Sequence, residues 1–373
     1  MIKDIMQKKH LKRSAVFLNI VAATLFSCSK QADPAYEPEA TLEVAKTPET
    51  TLAVSSISNN LTPLSNLSGE NLLLGINGHM GDAPYLQTDP TKQIQLLKDR
   101  GITWYRLNVQ TKSDGSASSS TLLESLQAAS STRGVKILPM LYLRTLDFNK
   151  STSENYQMGK TLGANFAAKY GKYFTYYNLG NDLELKLLNK NTTGQSSSHY
   201  NKAKTDVTAA YLKGMDEGIK SKDADAKTMV SAGWLHYGFL RWCQSYGVKF
   251  DVVAYNWYSD MEAPAANKTN NIPDITVKLA ALFPGKPIWF TEFNYRYKSG
   301  SSTNEADQNA FVTKFITKCK ANPMVKVMCV YELFDEPYKN GQESSYGIIK
   351  WTSQYSQMAD KTISKTFIAN AIK

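Results

Sequence analysis

The sequence is poor in the residues that carry most metal and nucleophile chemistry. It has four cysteines (Cys28, Cys243, Cys319 and Cys329) and four histidines in 373 residues. No cysteines fall at zinc-type spacing, which argues against a disulfide scaffold and a cysteine-ligated metal. Cys243, Cys319 and Cys329 read instead as small buried apolar residues. No two histidines stand at the i, i+4 spacing of a helical metal site, so neither a catalytic metal nor a cofactor is expected. There is no GxSxG elbow, no GxGxxG turn and no P-loop. No apolar run approaches the ~18 residues that suggest a membrane span. Of the formal charge of +10, +4 falls in residues 1–27 and the remaining +6 is spread over scattered lysines without a basic stripe, so nucleic acid is not an expected partner. What is present is a hydrophobic fraction of 42%, enough for a globular core, and an aromatic fraction of 11% with 21 Tyr and 6 Trp. Aromatics fill cores, and they also stack on sugars.

The first 14 residues are basic, and residues 15–26 form a twelve-residue apolar run, a length that suits a secretory signal. The run ends in Leu25-Phe26-Ser27-Cys28, which resembles a bacterial lipobox. That resemblance implies lipid attachment at Cys28 and a protein anchored to a bacterial membrane, at the cell surface or in the periplasm. Residues 29–68 are rich in Pro, Thr, Ser and Glu without apolar periodicity. The expected organisation is a signal peptide over 1–27, a flexible tether over 28–68 and one catalytic domain over 69–373.

From residue 70 onward, short apolar segments alternate with longer amphipathic ones. Strands are expected at 72–77, 102–109, 135–143, 174–179, 229–233, 250–256, 287–292 and 325–333. Helices are expected at 91–100, 121–133, 153–170, 202–221, 239–246, 274–282, 305–321 and 357–372. Gly101 and Gly134 follow helices as stop signals, and Asn304 precedes one as a cap. Eight β-then-α units over ~300 residues point to a single (β/α)8 TIM barrel of the α/β class, rather than a doubly wound sheet.

A barrel keeps its chemistry at the C-terminal ends of its strands. Strand 4 runs into Gly180-Asn181-Asp182, and strand 7 reads Trp289-Phe290-Thr291-Glu292. Strict alternation puts Ile288, Phe290 and Glu292 on one face, with Glu292 at the mouth. Strands 4 and 7 lie across a barrel from each other, and two carboxylates flanking a sugar are what glycoside hydrolysis needs.

These segments resemble those of the clan A glycoside hydrolases, retaining enzymes on (β/α)8 barrels. Further matches follow in order: Trp104-Tyr105-Arg106, Gly233-Trp234-Leu235-His236, Tyr255-Asn256-Trp257-Tyr258, and the stretch from Tyr331-Glu332 to Glu336-Pro337. The resemblance covers about residues 70–373 and implies hydrolysis of a polysaccharide or oligosaccharide. It implies Glu292 as nucleophile, Asp182 as acid/base, and Arg106 and Tyr258 as braces for Glu292. Asn181 would bind the sugar 2-hydroxyl. His79, Trp234, His236, Asn256, Trp257 and Glu332 are the further candidate sugar contacts.

One departure stands out. The clan has Glu where this chain has Asp182, whose carboxyl reaches ~1.5 Å less far. Glu184 or a strand-8 carboxylate (Glu332, Asp335 or Glu336) could take over the acid role. A glycan-binding surface lipoprotein impaired in catalysis is the alternative. The bland readings are Asp182 as an N-cap of the following turn, Asn181 as a turn residue, and Glu292 as an ion pair with Arg106 or Arg144.

Overall fold

The computed structural model describes residues 72–296, 305–339 and 341–370. The expected signal segment, Cys28, the tether and Asn304 lie outside these residues.

Eight parallel strands close into a barrel in sequence order. They are β1 (Leu73–Gly78), β2 (Trp104–Val109), β3 (Lys136–Leu141), β4 (Tyr176–Leu179), β5 (Lys227–Gly233), β6 (Val252–Tyr258), β7 (Ile288–Asn294) and β8 (Val325–Val330). The helices are α1 (Ala83–Gln87), α2 (Pro90–Lys98), α3 (Ser120–Ser131), α4 (Thr152–Tyr170) and α5 (Lys202–Lys220) in the first half. The second half holds α6 (Tyr237–Tyr246), α7 (Ser259–Ala266), α8 (Ile275–Leu282), α9 (Glu305–Lys320) and α10 (Thr362–Asn370). Gly101 and Gly134 adopt φ of +66° and +71°, the left-handed stops expected after α2 and α3.

Side chains alternate between two cores. Tyr105, Ile137, Val253 and Phe290 belong to the layer between barrel and helices. Trp104, Leu138, Met229, Val252, Ala254, Trp289, Val327 and Cys329 form a separate cluster that fills the barrel lumen. Its aromatic floor is tight, with the Trp289 ring 4.8 Å from Trp104 and 4.6 Å from Tyr176. Burying each such side chain is worth about 1.5–3 kcal/mol. Higher in the lumen the same strands switch to polar residues: Asn77, Arg106, Asn178, Asn256 and Glu292, all buried.

Strand β7 departs from the expected alternation. Trp289 faces the lumen, whereas Ile288 and Phe290 pack outward, Phe290 lying 4.8 Å from Phe315 of α9. The pairing with β6 then slips: Phe290 sits opposite Tyr255 and Glu292 opposite Asn256, which leaves Thr291 as an extra residue. This bulge reverses the phase and turns Glu292 inward. Without it, Glu292 would follow Phe290 into the helical layer.

The C-terminus also differs from expectation. Gln357–Asp360 is not helical but forms strand β10, antiparallel to β9 (Ile349–Ser353). The helix starts only at Thr362, after Lys361 has been drawn in to bond Asp335 and the Ser345 carbonyl. Tertiary pairing overrides local helix preference here. Helices α1 and α7 were not expected from the sequence pattern.

Candidate active site

Arg106 organises the mouth of the barrel. It shares the lumen face of β2 with Trp104 and is 4% exposed. Its Nε donates to Asn178 Oδ1 at 2.8 Å, and its Nη2 to Asn181 Oδ1 at 2.7 Å. Its Nη1 donates to Asn77 Oδ1 at 2.7 Å and to Glu292 Oε1 at 3.0 Å. A planar guanidinium held on four sides has little freedom to move. A buried ion pair of this kind depends on such surrounding bonds to offset desolvation.

Glu292 is 2% exposed. Arg106 holds one of its oxygens, and the Tyr258 hydroxyl donates to the other at 3.0 Å. Burial and the Glu292 charge push the Tyr258 phenol well above its ordinary pKa, so it remains a proton donor to the carboxylate.

Across the lumen, the chain leaves β4 through Gly180 and Asp182, both left-handed, with φ of +75° and +49°. A Cβ at Gly180 would lie 2.7 Å from a Leu183 methyl and 2.8 Å from a Leu143 methyl, so glycine is required there on two counts. The Asp182 side chain makes no capping bond to the short 3-10 turn Leu183–Lys186, which removes the N-cap reading. Instead Asp182 Oδ1 accepts from Asn256 Nδ2 at 3.0 Å. The same Asn256 amide donates to Asn181 Oδ1 at 3.2 Å, and Asn256 Oδ1 accepts from the Thr291 hydroxyl at 3.0 Å. One hydrogen-bonded network therefore runs from Asp182 through Asn256, Asn181 and Arg106 to Glu292 and Tyr258.

Asn77 and Asn178 were missed by sequence reasoning. Their signal was an asparagine at a lumen position of an otherwise apolar strand, in LLGING and YYNL. Such a residue needs a buried partner, and here it is the guanidinium.

Other expected residues gather elsewhere. Trp234, itself left-handed at φ +49°, is half-buried and stacks on Trp257 with ring centroids 6.3 Å apart. Trp257 is 1% exposed and its indole donates to Glu262 at 2.7 Å, so it backs Trp234 and offers a sugar no surface of its own. His236 is buried, with Nδ1 3.4 Å from Glu184 Oε1, which also accepts from the Gly233 amide at 2.9 Å. Glu184 is fully buried behind the β5 turn, its Oε1 engaged by Gly233 and His236.

His79 forms a second charged cluster with the strand-8 carboxylates. Its Nδ1 lies 3.0 Å from Glu332, 3.1 Å from Glu336 and 3.2 Å from Asp82. Burial alone would lower the His79 pKa, but the Glu332 charge and the three carboxylate bonds hold it well above the usual value. Burial and the charge of Glu336 push Glu332 up to about 8, against the pull of His79. His79, Asp82 and Glu336 have the donor set of a cation site. The Lys339 ammonium already stands there, 3.1 Å from Asp82 and paired with Glu336. Glu332 and Glu336 are wholly buried and gathered on His79, and Asp335 bonds Lys361.

Comparison with known proteins extends this picture. Residues 84–348 match the family described as glycosyl hydrolase catalytic core. No curated protein matches the chain. Among solved structures, a family 39 glycoside hydrolase from the gut symbiont Bacteroides cellulosilyticus WH2 superposes with a TM-score of 0.60 at 14% identity. That alignment covers 81% of this chain and 63% of the other. The virulence factor SghA from Agrobacterium tumefaciens gives 0.61 at 11% identity, covering 81% and 96% of the two chains. A family 1 β-glucosidase from Thermotoga maritima gives 0.56 at 10%, covering 80% and 98%. At such identities the likeness is one of fold.

Proposed function

The chain belongs to the glycosyl hydrolase catalytic core family, and on that premise we propose that it is a retaining glycosidase acting on a polysaccharide or oligosaccharide. The observation that carries this reading is Glu292, buried at the mouth with one oxygen on Arg106 and the other on Tyr258, and linked by the Asn256 network to Asp182.

In the first step, Asp182 enters protonated and gives its proton to the glycosidic oxygen as that bond breaks. Glu292 attacks the anomeric carbon and becomes a glycosyl ester. In the second step, Asp182 takes a proton from water, the water oxygen bonds to the anomeric carbon, and Glu292 leaves as a carboxylate. Arg106 and Tyr258 favour the ionised nucleophile and fix its aim. The Asn181 oxygen is occupied by Arg106 and Asn256. Its NH2 is then the group to donate to the sugar 2-hydroxyl, a contact that strengthens toward the transition state. Trp234 supplies an aromatic wall.

The test is Glu292→Gln. The amide keeps the shape and cannot act as nucleophile. Turnover in a reducing-sugar assay should vanish, while oligosaccharide binding by titration calorimetry persists. Full activity in this variant would overturn the assignment. A glycan-binding protein without turnover is the second reading, favoured by the shortness of Asp182 and its engagement with Asn256. It requires that the unmutated chain bind oligosaccharide and release no reducing ends.

For location, the lipobox-like Leu25-Phe26-Ser27-Cys28 supports attachment to a bacterial membrane through Cys28. Two acyl chains hold stably where one does not. Cys28→Ala should move the protein from the membrane to the soluble fraction and abolish labelling by a fatty-acid probe. Unchanged fractionation would refute the anchor.

A further inference from the structure

A groove of about 500 Å³ opens on the outer wall of the barrel, lined by Ser196, Ser197, Lys202, Asp206, Arg241, Trp242, Ser245 and Tyr246. None of these belongs to the Arg106–Glu292 network. The volume is that of a small-molecule site. Its composition is unlike an apolar docking face. Two aromatic side chains stand among hydroxyls, a carboxylate and two cationic groups.

Local geometry orders these groups. Trp242 and Tyr246 are four residues apart on α6, so they stack along one face of the helix about 5–6 Å apart at Cβ. Arg241 and Ser245 repeat the same spacing one column over. Trp242 is half-buried and its indole N–H donates to Asp206 Oδ1 at 3.1 Å, which fixes the ring plane. Lys202 lies over the same ring, 6.0 Å from its centroid, on an exposed side chain paired with Asp206. An oriented indole with a tyrosine one turn on, edged with polar groups, matches a pyranose chain. Such a chain presents C–H faces to rings and hydroxyls to the edges.

The geometry points to a second carbohydrate-binding site in this groove, separate from the catalytic mouth, that holds an oligosaccharide strand on Trp242 and Tyr246. Ser196, Ser245 and Arg241 meet its hydroxyls. Such a site would retain a long substrate while the mouth works on another stretch of it, raising effective concentration without touching the chemistry.

The test uses the full chain carrying Glu292→Gln, titrated calorimetrically with cellohexaose, laminarihexaose and hexagalacturonate. At least one probe should bind at the groove, seen as a stoichiometric event that Trp242→Ala weakens at least about tenfold. Trp242 also packs on the core, so Tyr246→Ala and Arg241→Ala serve as surface variants, with unchanged circular dichroism as the control. With Glu292 restored, none of the three should alter turnover of a short aryl glycoside. A single event lost in the groove variants supports the groove even if the mouth binds nothing. A single event indifferent to all three variants, or no binding by any probe, overturns the proposal.

Discussion

In the proposed mechanism Asp182 takes the place where the strand-4 motif of clan A carries the longer acid, and the turn before it sets where its carboxyl lies. The left-handed backbone at Gly180 and Asp182 turns the chain sharply at the end of β4. Asn256 then holds the carboxyl toward the network that reaches Glu292. An acid that protonates a leaving group matters in proportion to how poor that group is. Asp182→Asn should therefore slow an alkyl glycoside by ~10²–10⁴-fold and a dinitrophenyl glycoside far less in the first, bond-breaking step. Pre-steady-state release of dinitrophenol would read that step directly. Equal losses on both substrates would mean that Asp182 acts on position or binding and not as the proton donor.

At the scale of elements, the eight barrel strands and most of the helices between them were legible in the sequence because apolar periodicity and glycine stops are local signals. Strands β4 and β7 were located to within two residues, and with them Asp182 and Glu292. The orientation of Glu292 was not legible. Alternation from Ile288 predicts the right mouth for the wrong reason, because the bulge at Thr291 is set by pairing with β6 and not by β7 itself. Nor was the α4–α5 contact anticipated, although its residues are plain. Gly159 and Gly163 on α4 face Gly214 and Gly218 on α5, each pair four residues apart. A Cβ at Gly159 would stand 2.1 Å from the Tyr211 carbonyl oxygen, and one at Gly214 2.0 Å from that of Tyr156. Those neighbours are backbone and yield only if the helices part. Gly159→Ala should cost about 1–3 kcal/mol by overpacking, although alanine is the better helix former. Thermal unfolding should show a Tm lower by several degrees. Gly81→Ala, which meets open space, should leave it nearly unchanged. Equal Tm in the two variants would show that the helices can separate without loss.

Over the whole molecule, polarity rises along the lumen from the Trp104–Trp289 floor to the Arg106–Glu292 mouth, and the sites flanking that mouth carry their charge in closed, mutually neutralising sets. The set around His79 makes stability depend on pH in a defined direction. Folded, burial and the Glu336 charge raise Glu332 to about 8, and it titrates as one pair with His79, whereas in the unfolded chain it titrates from an ordinary value near 4.5. His79 likewise holds its proton above its ordinary value of 6.5. In both cases the folded state binds more protons within the window, so stability falls as pH rises through it. Their contribution is full below the unfolded values and is lost once the folded pKa is passed. Asp82 works the other way: burial opposes it, yet the His79 bond and the Lys339 charge hold its pKa well below 3.8, so its contribution is lost only in acid. Tm should therefore be highest in mild acid and decline from about pH 4.5 to about 8 as Glu332 titrates, with His79 adding to the decline above 6.5. Glu332→Gln mimics the protonated side chain and removes one of the two titrations. Its Tm should match the unmutated chain below about pH 4.5, where Glu332 is protonated folded and unfolded alike, and fall less steeply toward pH 8. A decline of the same slope in the variant would place the alkaline sensitivity outside this cluster.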